Sequence, residues 1–189
     1  MRFFIVFGVV MAYASMAQPG YKLDFKINGW KDTTVYLGHY YGEQTLVRDT
    51  SRAKSGAFSF ESSSSLPQGV YFLVLNNSKI FDFVVGQDQH FTIEGTAADF
   101  FNTVVVKGDP DNTLFFDNIR FNMTKGKEAE PWLKVLRDST LNEDQKKSAR
   151  ESFSKVNTEV LAYQKGLIDK NPTSMTARLL MATQTIEAP

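Results

Sequence analysis

The chain contains no cysteine. Disulfides, thiol nucleophiles, CxxC redox chemistry and cysteine-bound metals are therefore excluded within these residues. Histidine is nearly as scarce: His39 and His90 are the only two, and a metal centre needs three or four convergent ligands. Neither sign of charge dominates, with 21 Lys and Arg against 21 Asp and Glu. No whole-molecule field exists to attract nucleic acid, and basic residues do not interleave with aromatic ones. Beyond the first residues no apolar run approaches the ~20 that a membrane-spanning helix needs. The phosphate-binding pattern G-x-G-x-x-G and the nucleophile elbow G-x-S-x-G are missing. Carboxylates are plentiful, but no pair stands in a context that suggests acid–base work on a glycoside.

What is present begins with an address. Arg2 precedes a nine-residue apolar run over 3–11, and Ser15 and Ala17 are small residues placed for a cut before Gln18. This pattern predicts a secretory signal peptide over 1–17 and an exported protein of the periplasm or cell envelope. The run is too short to span a bilayer of ~30 Å, so a membrane anchor is the weaker alternative. No cysteine follows it to carry a lipid. An exported chain without disulfides must be held by its core, and about 170 residues can supply one.

From Tyr21 the sequence has period two. Tyr21, Leu23, Phe25 and Ile27 alternate with Lys22, Asp24, Lys26 and Asn28, as in a strand with one buried and one wet face. Further strands are expected at 34–40, 44–51, 57–61, 70–75, 80–85, 90–94 and 103–107. The breaks between them hold turn chemistry, such as Tyr41-Gly42-Glu43 and Pro67-Gln68-Gly69. The serines at 62–65 read as a solvated loop. Val70-Tyr71-Phe72-Leu73-Val74-Leu75 is apolar on both faces and should be a central strand. Short strands without intervening helices imply an antiparallel sandwich or barrel, and a sandwich of about eight strands is expected over 18–108.

After Gly108 the period becomes helical, and 109–189 should form about four helices. Asp109 can cap, Pro110 suits the first helical position, and Leu114, Phe115, Phe116, Ile119 and Met123 follow. Pro131 is expected to open a second helix with Trp132, Val135 and Leu136. The clearest helix is expected over 143–169. Asn142 and Gln145 resemble a capping box, and Ala149, Phe153, Val156, Val160, Tyr163 and Leu167 form one apolar stripe. That stripe needs a partner, either the sandwich or another copy of the chain. A short helix over 174–183 closes an α+β architecture.

Three groups of residues bear on chemistry. His39 and His90, with Asp49 or Asp88, could ligate a metal, but their spacing matches no metal site. Asp109-Pro110-Asp111-Asn112 resembles a calcium loop, yet the glycine and the bidentate glutamate that such a loop requires are missing, so helix capping explains it better. Tyr36, Tyr40, Tyr41, Phe81 and Phe83 could form a stacking platform if they faced water together; buried, they are core. No catalytic, cofactor-binding or metal-binding residue is assigned, and no cofactor is expected.

Several segments carry a resemblance. They are Gly20-Tyr21-Lys22, then Lys31-Asp32-Thr33-Thr34-Val35-Tyr36-Leu37-Gly38, Gly56-Ala57-Phe58-Ser59-Phe60, Leu66-Pro67-Gln68-Gly69-Val70-Tyr71, and Val106-Lys107-Gly108 before a Phe-rich stretch. In this order they resemble the N-terminal domain of unknown function of exported thioredoxin-like proteins from Bacteroides-type bacteria, in the alkyl-hydroperoxide-reductase/thiol-specific-antioxidant superfamily. The resemblance implies a β-sandwich, a helical segment and then a thioredoxin-fold domain with CxxC. Thr183 to Pro189 resembles the junction before that next part. With no CxxC here, redox activity transfers to no residue of this chain. The expected role is a non-catalytic accessory region that positions, oligomerises or recognises a client, with a thioredoxin-like domain or a second copy as partner. The alternative is a free-standing exported module that binds glycan or peptide.

Overall fold

The computed structural model describes residues 20–186; the expected signal peptide over 1–17 lies outside them. Eight strands form two four-stranded sheets. They are β1 (Tyr21–Asn28), β2 (Thr33–Tyr41), β3 (Gln44–Ala53), β4 (Ala57–Ser62), β5 (Gly69–Leu75), β6 (Ser78–Val85), β7 (His90–Thr96) and β8 (Val105–Lys107). One sheet has the order β4-β1-β7-β8 and the other β3-β2-β5-β6. The apolar central strand expected at 70–75 is β5, flanked by β2 and β6.

All pairs but one are antiparallel. β1 and β7 run parallel, from Lys22 opposite His90 to Asn28 opposite Thr96. Parallel neighbours need a long connection, and here the whole second sheet lies between them in sequence. The alternation in β1 comes out as read: Tyr21, Leu23, Phe25 and Ile27 are buried and Lys22, Lys26 and Asn28 exposed. Phe25 stacks on Phe58 at 5.0 Å and meets Phe60 and Phe83 edge-on. Without disulfides, these rings supply much of the apolar area that holds the sheets together, at roughly 25 cal/mol per Å² buried.

The expected strand at 103–107 is partly wrong. A 3-10 turn over Ala97–Asp99 leads into a short helical turn, α1 (Phe100–Thr103), and only Val105–Lys107 pairs with β7. The Thr103 hydroxyl donates to the Asp99 carbonyl and Asn102 to the Asp99 carboxylate, which favours the coil over extension. Phe100 then stacks on Phe81 at 4.0 Å and packs against the core.

Three helices follow: α2 (Pro110–Arg137), α3 (Glu143–Lys170) and α4 (Met175–Ile186). The helix start expected at Pro131 is not there, because Pro131 lies inside α2. A proline frees the carbonyl four residues back; here that residue is the exposed Lys127, whose carbonyl water can satisfy. Burial of Ala129, two residues earlier, holds the helix in place. α3 begins with the expected capping box between Asn142 and Gln145. Its apolar stripe finds its partner in α2 of the same chain, with Tyr163 stacked on Phe121 at 3.9 Å and Lys125 of α2 paired to Glu159. The two helices, each 28 residues and so about 42 Å long, form an antiparallel hairpin. No described helix is long and apolar enough to cross a membrane.

Candidate functional site

The second sheet is forked. β2 pairs with β5 from Val35 opposite Leu75 to His39 opposite Tyr71, and there the ladder stops. Both strands continue with other partners: Tyr40 and Tyr41 stay on β3, and Gly69 and Val70 stay on β6. The divergence follows a β-bulge between Leu37 and Gly38, where β3 carries one extra residue, Arg48. A bulge bends and twists its strand, and it falls two residue pairs before β2 and β5 part beyond His39 and Tyr71. Gly38 is needed at that point because a Cβ would sit 2.2 Å from the Phe72 ring.

A cleft of about 470 Å³ lies at the fork, between His39 and Tyr40 on one side and Gly69 and Val70 on the other, with Phe115 of α2 and Leu179 of α4 against it. The floor is Tyr71, 2% exposed, with the His39 ring 5.8 Å from it. His39 Nδ1 is buried and makes no hydrogen bond. On the outer side the Tyr40 hydroxyl donates to Asp82 at 3.0 Å and accepts from Lys79 at 2.8 Å, and Lys79 pairs with Asp82 at 2.9 Å. These contacts hold the Lys79 ammonium above its usual range, the Tyr40 hydrogen bond contributing most.

The loop that rims the cleft is fixed twice. The buried Gln89 amide accepts from Leu66 N–H at 2.8 Å and donates to the Leu66 carbonyl at 2.9 Å. The Tyr71 hydroxyl donates to the Pro67 carbonyl at 2.9 Å. Burial pushes the Tyr71 phenol upward, with Arg48 opposing. Near this end of the sandwich Tyr21 donates to Asp49 across the two sheets at 2.8 Å, and burial, helped by that carboxylate, pushes its phenol up to about 12.

In the fold these candidate residues separate. His39 is on β2 and His90 on β7, in different sheets, and Asp49 is engaged by Tyr21. Among the described residues no group of three or more His, Asp or Glu side chains could hold a metal. Phe81 and Phe83 fill the core, Tyr36 is half-buried, and only Tyr40 and Tyr41 face water, at 42% and 71%. The five aromatics therefore do not form one platform. Asp82, between the two phenylalanines, points the other way, to Tyr40.

Asp109-Pro110-Asp111-Asn112 is a cap, and it is also a joint. Asp109 accepts from Asp111 N–H as the N-cap of α2, and burial raises its carboxyl although Asn112 donates to it. Asp111 accepts from the backbone N–H of Met175 at 2.6 Å and of Thr176 at 2.9 Å, the start of α4. Asn112 accepts from Val84 N–H at 2.9 Å and donates to the Val84 carbonyl at 2.7 Å. A cleft of about 300 Å³ beside this joint includes Asp88 and Lys170; Asp111, also on its wall, is committed to α4.

Residues 21–115 match the family described as Domain of unknown function (DUF4369). The chain belongs to that family. Its matched region starts with β1 and ends in the first turns of α2, so it takes in all eight strands, the fork and the Asp109–Asn112 joint. No curated protein and no solved structure matches the chain. Sequence reading missed Gly69, Val70, Phe115 and Leu179 as neighbours in a cleft. The one local signal was the Pro67-Gln68-Gly69 turn, which marks where β5 begins but not where its pairing stops.

Proposed function

We propose that this chain is a non-catalytic accessory region of an exported thiol-disulfide oxidoreductase-like protein, which positions a thioredoxin-like domain or recognises its client. The joint at Asp109 to Asn112 supports this reading best. Its hydrogen bonds tie β6, α2 and α4 together, so the cleft and the helices keep one mutual orientation. A positioning or recognition element needs that rigidity. The segments from Gly20 to Gly108 that resemble the N-terminal region of such proteins support it independently. The chain has no thiol of its own, so every redox step belongs to another domain. In this reading the residues 1–17 direct export to the periplasm or cell envelope, and the chain needs no cofactor.

The fork cleft favours a second reading, a free-standing exported module that binds glycan or peptide. One measurement separates the two. The native protein is detected in its host with an antibody to the sandwich, and its intact mass is then determined. A species larger by a thioredoxin-sized domain, with CxxC peptides in its digest, is the expected result. A species with the mass of residues 18–189 alone would overturn the accessory reading.

A further inference from the structure

We propose that the cleft at the fork binds a short extended peptide through an uncharged, apolar anchor side chain. The proposal deepens the client-recognition part of the reading above and rests on the geometry of the second sheet. Where the β2–β5 ladder ends, Tyr40–Tyr41 and Gly69–Val70 each keep a single partner strand. Strand segments of this kind offer main-chain donors and acceptors to an added extended chain, while a pocket alongside selects its side chain. Here Val70, Tyr71, Phe115 and Leu179 supply the apolar wall of that pocket.

Charge sets the class of anchor. The carboxylate on the wall, Asp82, is neutralised by Lys79 at 2.9 Å and bonded by the Tyr40 hydroxyl. A cationic anchor would have to displace Lys79 from Asp82, and an anionic one would have to displace Asp82 from Lys79. A glycan fits less well. Tyr71, Phe81 and Phe83 are buried; the Tyr40 ring is exposed, but Lys79 sits over it at 5.6 Å and its hydroxyl, like that of Tyr71, is already engaged. Gly69 leaves the entrance open, since a Cβ there would have no atom within 4 Å.

The test is a titration of ¹⁵N-labelled residues 18–189, followed by amide shifts. The probes are the blocked pentapeptide acetyl-Ala-Val-Leu-Val-Ala-amide, heptapeptides enriched from a displayed random library, and maltotetraose. The expected result is saturable peptide-induced shifts at Tyr40, Gly69, Val70 and Tyr71. Gly69→Phe should weaken binding by about tenfold or more, and Gly126→Ala on the distant hairpin should leave it unchanged. If Gly69→Phe does not fold, a nitroxide-tagged copy of the best peptide should broaden the same amides in the unaltered chain. The proposal is overturned if no peptide gives saturable shifts there, if Gly69→Phe binds as well as the parent, if the tagged peptide broadens amides elsewhere, or if maltotetraose alone moves those amides. Peptide binding by a chain whose native form has no CxxC domain would retain this proposal and remove the accessory reading; a CxxC-bearing native form with a silent cleft would do the reverse.

Discussion

The Asn112 side chain pairs with Val84 as a neighbouring strand would, accepting from its N–H at 2.9 Å and donating to its carbonyl at 2.7 Å. Val84 is on β6, an edge of the second sheet. An open edge offers unpaired peptide groups to any passing chain, and one amide on α2 satisfies two of them while docking the helix. Gln89 does the same for Leu66.

Asn112 is fully buried, so Asn112→Ala leaves both groups of Val84 without partners. Each such loss costs about 1–3 kcal/mol, and we expect roughly 3 kcal/mol in urea unfolding. Hydrogen exchange at the Val84 amide should rise more than at Val35 in the middle of the same sheet. Unchanged protection at Val84 would show that the pair does not act as described.

Gly38→Ala should destabilise the chain by about 1–3 kcal/mol, because its Cβ would meet the Phe72 ring and overpacking strains the strand. Phe72→Leu in the same background should recover part of that loss. A double-mutant cycle measures the coupling; additive effects would mean that the ring does not cause the constraint.

Tyr21 carries a pH signature. Its phenol titrates at about 12 in the folded chain and near 10 when unfolded. The folded state therefore holds the proton more tightly. The associated stability is fully present below about pH 10 and is lost as the pH rises toward 12. Tyr21→Phe should be less stable than the parent at pH 8 by about 1 kcal/mol, through the lost bond to Asp49. Between pH 10 and 12 its unfolding midpoint should fall less steeply. Parallel curves for the two proteins would contradict this origin.

Gly126 lies inside α2 with no atom within 4 Å of where a Cβ would go. Gly126→Ala should therefore stabilise the chain by about 0.5–1 kcal/mol through helix propensity alone. Thermal unfolding would show it as a rise in Tm; a fall would mean that this side of the hairpin is packed against something.

Much of the fold could be read along the chain because its causes are local. Alternation in β1, the turn residues after most strands, the Asp109 cap and the Asn142–Gln145 box are settled by neighbours within four residues. Pro131 misled for the same reason. Its local preference is to start a helix, and the packing of α2 on α3 overrides it. The candidate site was far less legible. His39 and Tyr40 stand out for their chemistry, but Gly69, Val70, Phe115 and Leu179 carry no mark of shared function, and Leu179 lies more than a hundred residues beyond Val70.

By itself the sequence determined that the chain is a cysteine-free sandwich followed by helices, with the change of period near Gly108. Those features depend on backbone period, capping and composition, which act over a few residues. Tertiary structure alone decided that β1 and β7 run parallel, that Phe81 and Phe83 are core while Tyr40 and Tyr41 meet water, and that the second sheet opens at His39 and Tyr71. Each depends on which distant strand becomes a neighbour, and that choice is made by the packing of the whole core around Phe25, Phe60 and Phe83.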